Sequence, residues 1–140
     1  MPNREDVIAE ARTWLGVPWV HQGRTRLGID CAGVVAMVGR AKGLSDHDEF
    51  GYQRRAQGYN FIRPFREHMD QKPINDMEPA DVLLMRDGAY PCHAAILSCR
   101  NGVPTIIHAH ATRGKVLEEP ISQGDWMRMR IACFSFRGLD

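Results

Sequence analysis

Residues 23–43 read GRTRLGIDCAGVVAMVGRAKG. The first half is polar and glycine-rich. From Cys31 onward the stretch is apolar, with Val34, Val35, Met37 and Val38 spaced as in a largely buried helix and Gly43 as its stop. A cysteine that only fills a core sits inside an apolar run, whereas this one opens it. The spacing predicts a helix from about Cys31 to Lys42 with a thiol at its N-terminus, where unpaired N–H groups and the helix dipole favour the thiolate. Asp30, one residue earlier, opposes ionisation by like charge unless its side chain turns into the capping N–H groups.

Upstream, Asn3 is placed to cap a helix with Glu5 and Asp6 in its first turn and Val7, Ile8, Ala11, Trp14 and Leu15 at helical spacing. Gly16 and Pro18 stop it, and residues 19–28 read as loop. Downstream, residues 44–80 are polar and turn-rich, with a short helix expected around residues 61–69 and a proline-bearing loop after it. From Asp81 the signals become short strands: DVLLM, HAAILS, PTIIHAH, KVLEE and RMRIACFSF. Arg100-Asn101-Gly102 is a hairpin turn, because Asn and Gly readily take positive φ. Helices followed by an antiparallel meander make an α+β domain over residues 1–140.

A chain of 140 residues is long enough to bury a core without disulfides and fits one domain. A formal charge of +1 supplies no general basic field, so nucleic acid is not an expected partner, although Arg24 and Arg26 form a local basic pair. The four cysteines, Cys31, Cys92, Cys99 and Cys133, lack paired C-x-x-C spacing and are expected as thiols. The N-terminal residues carry three charged side chains, Arg4, Glu5 and Asp6, before the first apolar cluster and no apolar segment of a secretory signal. No run reaches the roughly 18 apolar residues that span a bilayer, so neither export nor membrane insertion is expected.

A nucleophilic cysteine needs a base and a group that orients the base. His93 opens one predicted strand, and His108 with His110 closes its hairpin partner. Side chains alternate along a strand, so His108 and His110 share a face. Centring the turn on Asn101-Gly102 sets Ala95 opposite His108 and His93 opposite His110, making the imidazoles direct or diagonal neighbours. Three histidines with Cys31 as a fourth ligand also describe a metal site. No acidic or cysteine ligand lies at tight local spacing, and a metal leaves the helix-start position of Cys31 unexplained; no metal and no cofactor are expected.

GIDCAGVV, PADVLLM, HAAILS and IIHAHA together resemble the NlpC family of papain-like cysteine peptidases, which cleave peptide stems and cross-links of bacterial cell walls. The resemblance runs from the first helix to the last strand and implies the papain-like fold. It implies Cys31 as nucleophile, His93 as general base and His108 as the residue orienting the imidazole, with His110 the runner-up in the repeated H-A element. Where the family usually has a tyrosine twelve residues before the cysteine, helping to hold the oxyanion, this chain has Trp19; an indole N–H donates but cannot accept. His21 is placed to take over part of that role, and the family's Gly-Gly pair is here Gln22-Gly23.

The resemblance thus implies a cysteine endopeptidase acting on peptidoglycan stem peptides. HQGRTRLGIDCAGVV is similar to phage tail-associated members, which implies a chain made in the host cytoplasm, carried among tail-tip proteins in the virion and acting at the wall or periplasm. Two alternatives stay open: a tail subunit of weak or no activity, favoured by Trp19 and Gln22, and an acyltransferase on the same fold. Cys92, Cys99 and Cys133 read as packing thiols, His47 and His68 as surface residues, and the charged loop at residues 45–60 as a solvated insertion or the wall of a groove.

Overall fold

The computed structural model describes residues 2–48, 59–87 and 90–139. Helix α1 (Arg4–Arg12) begins with a reciprocal capping box: Asn3 Oδ1 accepts from the Asp6 N–H, and Asp6 accepts from the Asn3 N–H. Val7, Ile8 and Ala11 are its buried stripe. The helix ends before Trp14 and Leu15, three residues sooner than their spacing suggests; Trp14 is buried from the turn beyond it, while Leu15 faces solvent.

The expected loop at residues 19–28 contains a small antiparallel ribbon, β1 (Arg24–Thr25) with β2 (Gly28–Ile29). It hands the chain to α2 (Cys31–Ala41), whose residues Val34, Val35 and Val38 enter the core and which Gly43 follows at φ +69°. Helix α3 (Tyr59–His68) runs slightly earlier than expected and carries Pro64 within it; Phe61, Ile62 and Phe65 are buried.

A six-stranded sheet follows: β3 (Asp70–Lys72), β4 (Val82–Asp87), β5 (Tyr90–Arg100), β6 (Val103–His110), β7 (Lys115–Pro120) and β8 (Arg130–Ser135), in the order β3-β8-β4-β5-β6-β7. Strands β4 to β7 form the expected meander. The last strand departs from it, returning to lie between β3 and β4 and pairing antiparallel with both. Residues 128 and 129, expected in that strand, belong to the short helix α4 (Trp126–Met129) instead.

Period-two alternation gives the sheet two dry faces. Leu84, Ala94, Ile96, Ile107, Ala109, Val116 and Phe134 pack with α1, α2 and α3. Leu83, Met85, Ala95, Leu97, Ile106, Ile121 and Cys133 form a second cluster, joined by Met77 and Trp126. Among the described residues no helix is long and apolar enough to cross a membrane.

Candidate active site

Cys31 is the first residue of α2, half-buried, and packs against the helix-side core. The residue before it is spent on the cap. One Asp30 oxygen accepts from the Gly33 N–H (2.8 Å) and from Arg24 Nη1 (3.0 Å), and the other accepts from the Gln22 N–H (2.8 Å). Arg24 also meets Asp48 at 2.9 Å. The Asp30 charge is thus paired with Arg24 and anchored in backbone N–H groups. Arg24 is therefore engaged in the cap, and Arg26 sits 3.6 Å above the Trp14 ring and beside Glu10, so neither forms the open basic patch allowed by composition.

Close backbone approach fixes the loop against the helix. A Cβ on Gly33 would lie 2.7 Å from the Gly23 carbonyl oxygen, and one on Gly23 would lie 2.4 Å from that of Gly28. Gln22 takes φ +59°, a left-handed turn that suits glycine better, and thereby aims its N–H at Asp30. Trp19 and His21 stack with centroids 6.4 Å apart, and the backbone N–H of Trp19 donates to the Gly114 carbonyl at 2.8 Å. Pro18 bridges to Lys115, so this loop is seated at the β6–β7 end of the sheet.

At that end the histidines meet. The β5–β6 register pairs Ile96 with Ile107 and Leu97 with Ile106, the register expected from a turn centred on Asn101-Gly102. His93 Nε2 lies 2.7 Å from His108 Nδ1. His110 packs edge-on to His93 with centroids 6.1 Å apart, and its Nδ1 accepts from the Arg113 backbone and Nε. His108, rather than His110, is thus the hydrogen-bond partner of His93 Nε2.

Three neighbours were not anticipated. His108 Nε2 lies 2.6 Å from Glu119 Oε2, and Arg113 Nη2 closes on the same oxygen. Trp126 stacks on His93 (5.5 Å, 29°) and stands edge-on to His108 (5.1 Å, 82°). The sequence carries a signal for Glu119, since KVLEE has a strand pattern, but only its register against β6, which sets Ile106 opposite Glu119, brings the carboxylate to the histidines. Trp126 lies in a four-residue helix that no periodicity marks.

Burial pushes His93 well below the ordinary histidine range, reinforced by His108 and His110. Burial also lowers His108, to about 4, against the opposing hydrogen bond from Glu119. Burial alone would raise the Glu119 carboxyl, but hydrogen bonds from Arg113 and His108 hold it below the usual range. Near neutral pH His93 and His108 are therefore neutral and Glu119 is a carboxylate. With Nε2 of His93 and both nitrogens of His108 engaged in this chain, among the described residues no cluster is arranged to hold a metal ion.

The other singled-out residues lie elsewhere. Cys133 is buried beside Asp81, and Cys99 is exposed at the far end of β5. His47 and His68 are not simple surface residues: both are half-buried and stack with centroids 3.6 Å apart. They line a pocket with Arg24, Phe61, Phe65 and Met69 that includes neither Cys31 nor the imidazoles of the sheet. Most of the charged loop at residues 45–60, and the side chain of Cys92, lie outside the described residues.

The NlpC/P60 family profile matches residues 16–133. An NlpC/P60 family protein from Bacillus cereus superposes with a TM-score of 0.73 at 16% identity, over 97% of this chain and 41% of that protein. The NlpC/p60 domain of the peptidoglycan hydrolase SagA gives 0.67 at 20% identity, over 96% of this chain and 99% of that domain. An N-acetylmuramoyl-L-alanine amidase from Bacteroides uniformis gives 0.69 at 13% identity, over 96% and 98%. No curated protein matches the sequence. At these identities the neighbours establish the fold, papain-like and built from helices on an antiparallel sheet. The profile match, spanning the capped cysteine, the histidine hairpin and most of the last strand, makes this chain a member of the NlpC/P60 family.

Proposed function

We propose that the chain is a cysteine endopeptidase that hydrolyses peptide bonds in the stem peptides of bacterial peptidoglycan, with Cys31 as nucleophile, His93 as general base and His108 as the residue orienting His93. The observation that carries this reading is the 2.7 Å bond between His93 Nε2 and His108 Nδ1. In this reading Nδ1, the His93 nitrogen that His108 does not engage, serves the thiol. SagA, one of the structural neighbours, is a peptidoglycan hydrolase, which supports the substrate class.

In the proposed reaction Cys31 Sγ attacks the amide carbon and its proton passes to Nδ1 of neutral His93. The N–H of Cys31, the first of α2, and a donor from the Trp19–His21 pair hold the oxyanion. The C–N bond breaks as His93 returns the proton to the leaving amine. Water then attacks the thioester, giving a proton to His93, and Cys31 leaves as thiolate and is reprotonated. Loss of one oxyanion donor costs about 10² to 10³ in rate, so a tryptophan in place of tyrosine slows this chemistry without abolishing it.

We further infer that the chain acts as a tail-tip component of a phage virion, a reading supported by the likeness of HQGRTRLGIDCAGVV to tail-associated members. Mass spectrometry of purified virions tests the location; detection only in lysed host cells would exclude it. The activity is tested by digesting purified peptidoglycan with the wild type and with Cys31→Ala, and identifying the fragments by mass. Cleaved stem peptides from the wild type alone are expected and name the bond. Release of intact stems would reveal an amidase, transfer to an added amine an acyltransferase, and no fragments from folded protein a structural subunit.

A further inference from the structure

The histidine pair does not end at His108. Glu119 is buried on β7, and its Oε2 receives both His108 Nε2 (2.6 Å) and Arg113 Nη2. A carboxylate only accepts hydrogen bonds, so His108 must carry its proton on Nε2. A neutral His108 then offers a lone pair at Nδ1, and across the 2.7 Å contact His93 must carry its proton on Nε2. The remaining nitrogen of His93, Nδ1, is thereby left as the basic one. Two imidazoles facing each other do not decide this alone, because the opposite pair of tautomers satisfies the same contact with Nδ1 of His108 as donor.

We propose that Glu119 is the positioning residue of this site, fixing the tautomers of His108 and then His93 through a directed hydrogen-bond chain, with Arg113 holding the carboxylate in place. The proposal rests on the catalytic assignment above only for its kinetic consequence; the tautomers themselves are independent of it. Arg113 reaches Glu119 from the turn between β6 and β7, where its backbone and Nε also engage His110. One exposed arginine thus ties the carboxylate to the strand that carries His108.

The test is the ¹⁵N spectrum of the imidazole rings in the full chain at pH 7, recorded for the wild type, Glu119→Gln and Glu119→Met. The wild type is expected to show both His93 and His108 protonated at Nε2. Glu119→Gln, which keeps an acceptor, should retain these tautomers; Glu119→Met, which removes it, should turn His108 and His93 into mixtures. On peptidoglycan, Glu119→Met should lose up to about 10⁴-fold in kcat with KM nearly unchanged, the scale of a misdirected tautomer in a triad enzyme. Glu119→Gln should recover most of that loss, because Arg113, which only donates, holds the amide oxygen rather than the NH₂ at the position facing His108. A wild-type His93 protonated at Nδ1 would overturn the proposal, as would unchanged tautomers in folded Glu119→Met. A wild type inert on peptidoglycan but showing the expected spectra would instead sink the peptidase reading and leave the positioning role standing.

Discussion

Cys31 and Cys133 each have an aspartate for a neighbour, and the two aspartates do opposite things. Asp81 accepts the Cys133 thiol at 3.7 Å, alongside Arg4 and Lys72 at 2.8 Å and the Glu78 N–H at 2.9 Å. Burial first, and the Asp81 charge second, push that thiol up to about 12, where it is inert. Asp30 instead gives its oxygens to two backbone N–H groups and Arg24, leaving Cys31 at the mouth of a helix. One aspartate faces a sulfur and helps to silence it, whereas the other is consumed by the backbone of a helix start.

The largest effect that separates the two regions is on turnover. Cys31→Ala should abolish peptidoglycan hydrolysis while shifting the denaturant midpoint little, since the side chain is half-buried. Cys133→Ala should leave kcat/KM within about twofold but cost about 1–2 kcal/mol, the scale of a small cavity in a packed sheet. Equal loss of activity in both variants would erase the distinction.

Next in size are the aspartates. Asp81→Ala removes the centre of a buried ion cluster and should cost about 3–5 kcal/mol in urea denaturation, with residual activity in the folded fraction. Asp30→Ala removes a cap and a buried ion pair whose arginine keeps Asp48, and should cost about 2–3 kcal/mol. Activity should fall further than stability, because the entry angle of α2 is lost. If activity tracked folded fraction in both, Asp30 would be merely structural.

The two regions also divide the pH axis. His93 and His108 bind protons less readily folded than unfolded, so between about pH 6.5 and 4 the unfolded chain holds more protons and stability falls as pH falls. Cys133 works the other way: its raised value means that stability is present below about 9 and is lost as pH rises toward 12. Chemical denaturation across pH should therefore show a dome, and Cys133→Ala should flatten only its alkaline side.

The smallest effect is at the turn that feeds Asp30. Gln22 sits at φ +59°, where a non-glycine residue is strained by roughly 1–2 kcal/mol. Gln22→Gly should relieve that strain at the expense of a more flexible unfolded chain, for a net change within about 1 kcal/mol. A loss well beyond this would show the Gln22 side chain to be bound into the site.

Much of this was legible in the sequence because it is local. The start of α2, the Asn3 cap, the Asn101-Gly102 turn and the diagonal approach of His93 to His108 follow from spacing and from period-two alternation. What was not legible depends on contacts between segments far apart. Glu119 joins His108 only through the β6–β7 register, Trp126 comes from a helix too short to show periodicity, and β8 takes a place in the sheet that no local pattern encodes. The ion pairs of Arg24 likewise needed the loop folded back on itself.

The position of β8 also bears on how the chain reaches this state. Strands β3 and β4 are close in sequence, yet they join one sheet only when Arg130–Ser135 slots between them. During synthesis the meander of β4 to β7 can assemble early, since its pairings are short-range, but the Asp81 cluster lacks Cys133 until the last strand emerges. Such late, distant pairing slows folding relative to a pure meander. The thiol at Cys31 is thus translated about a hundred residues before Arg130–Ser135, the strand that joins β3 to the rest of the sheet.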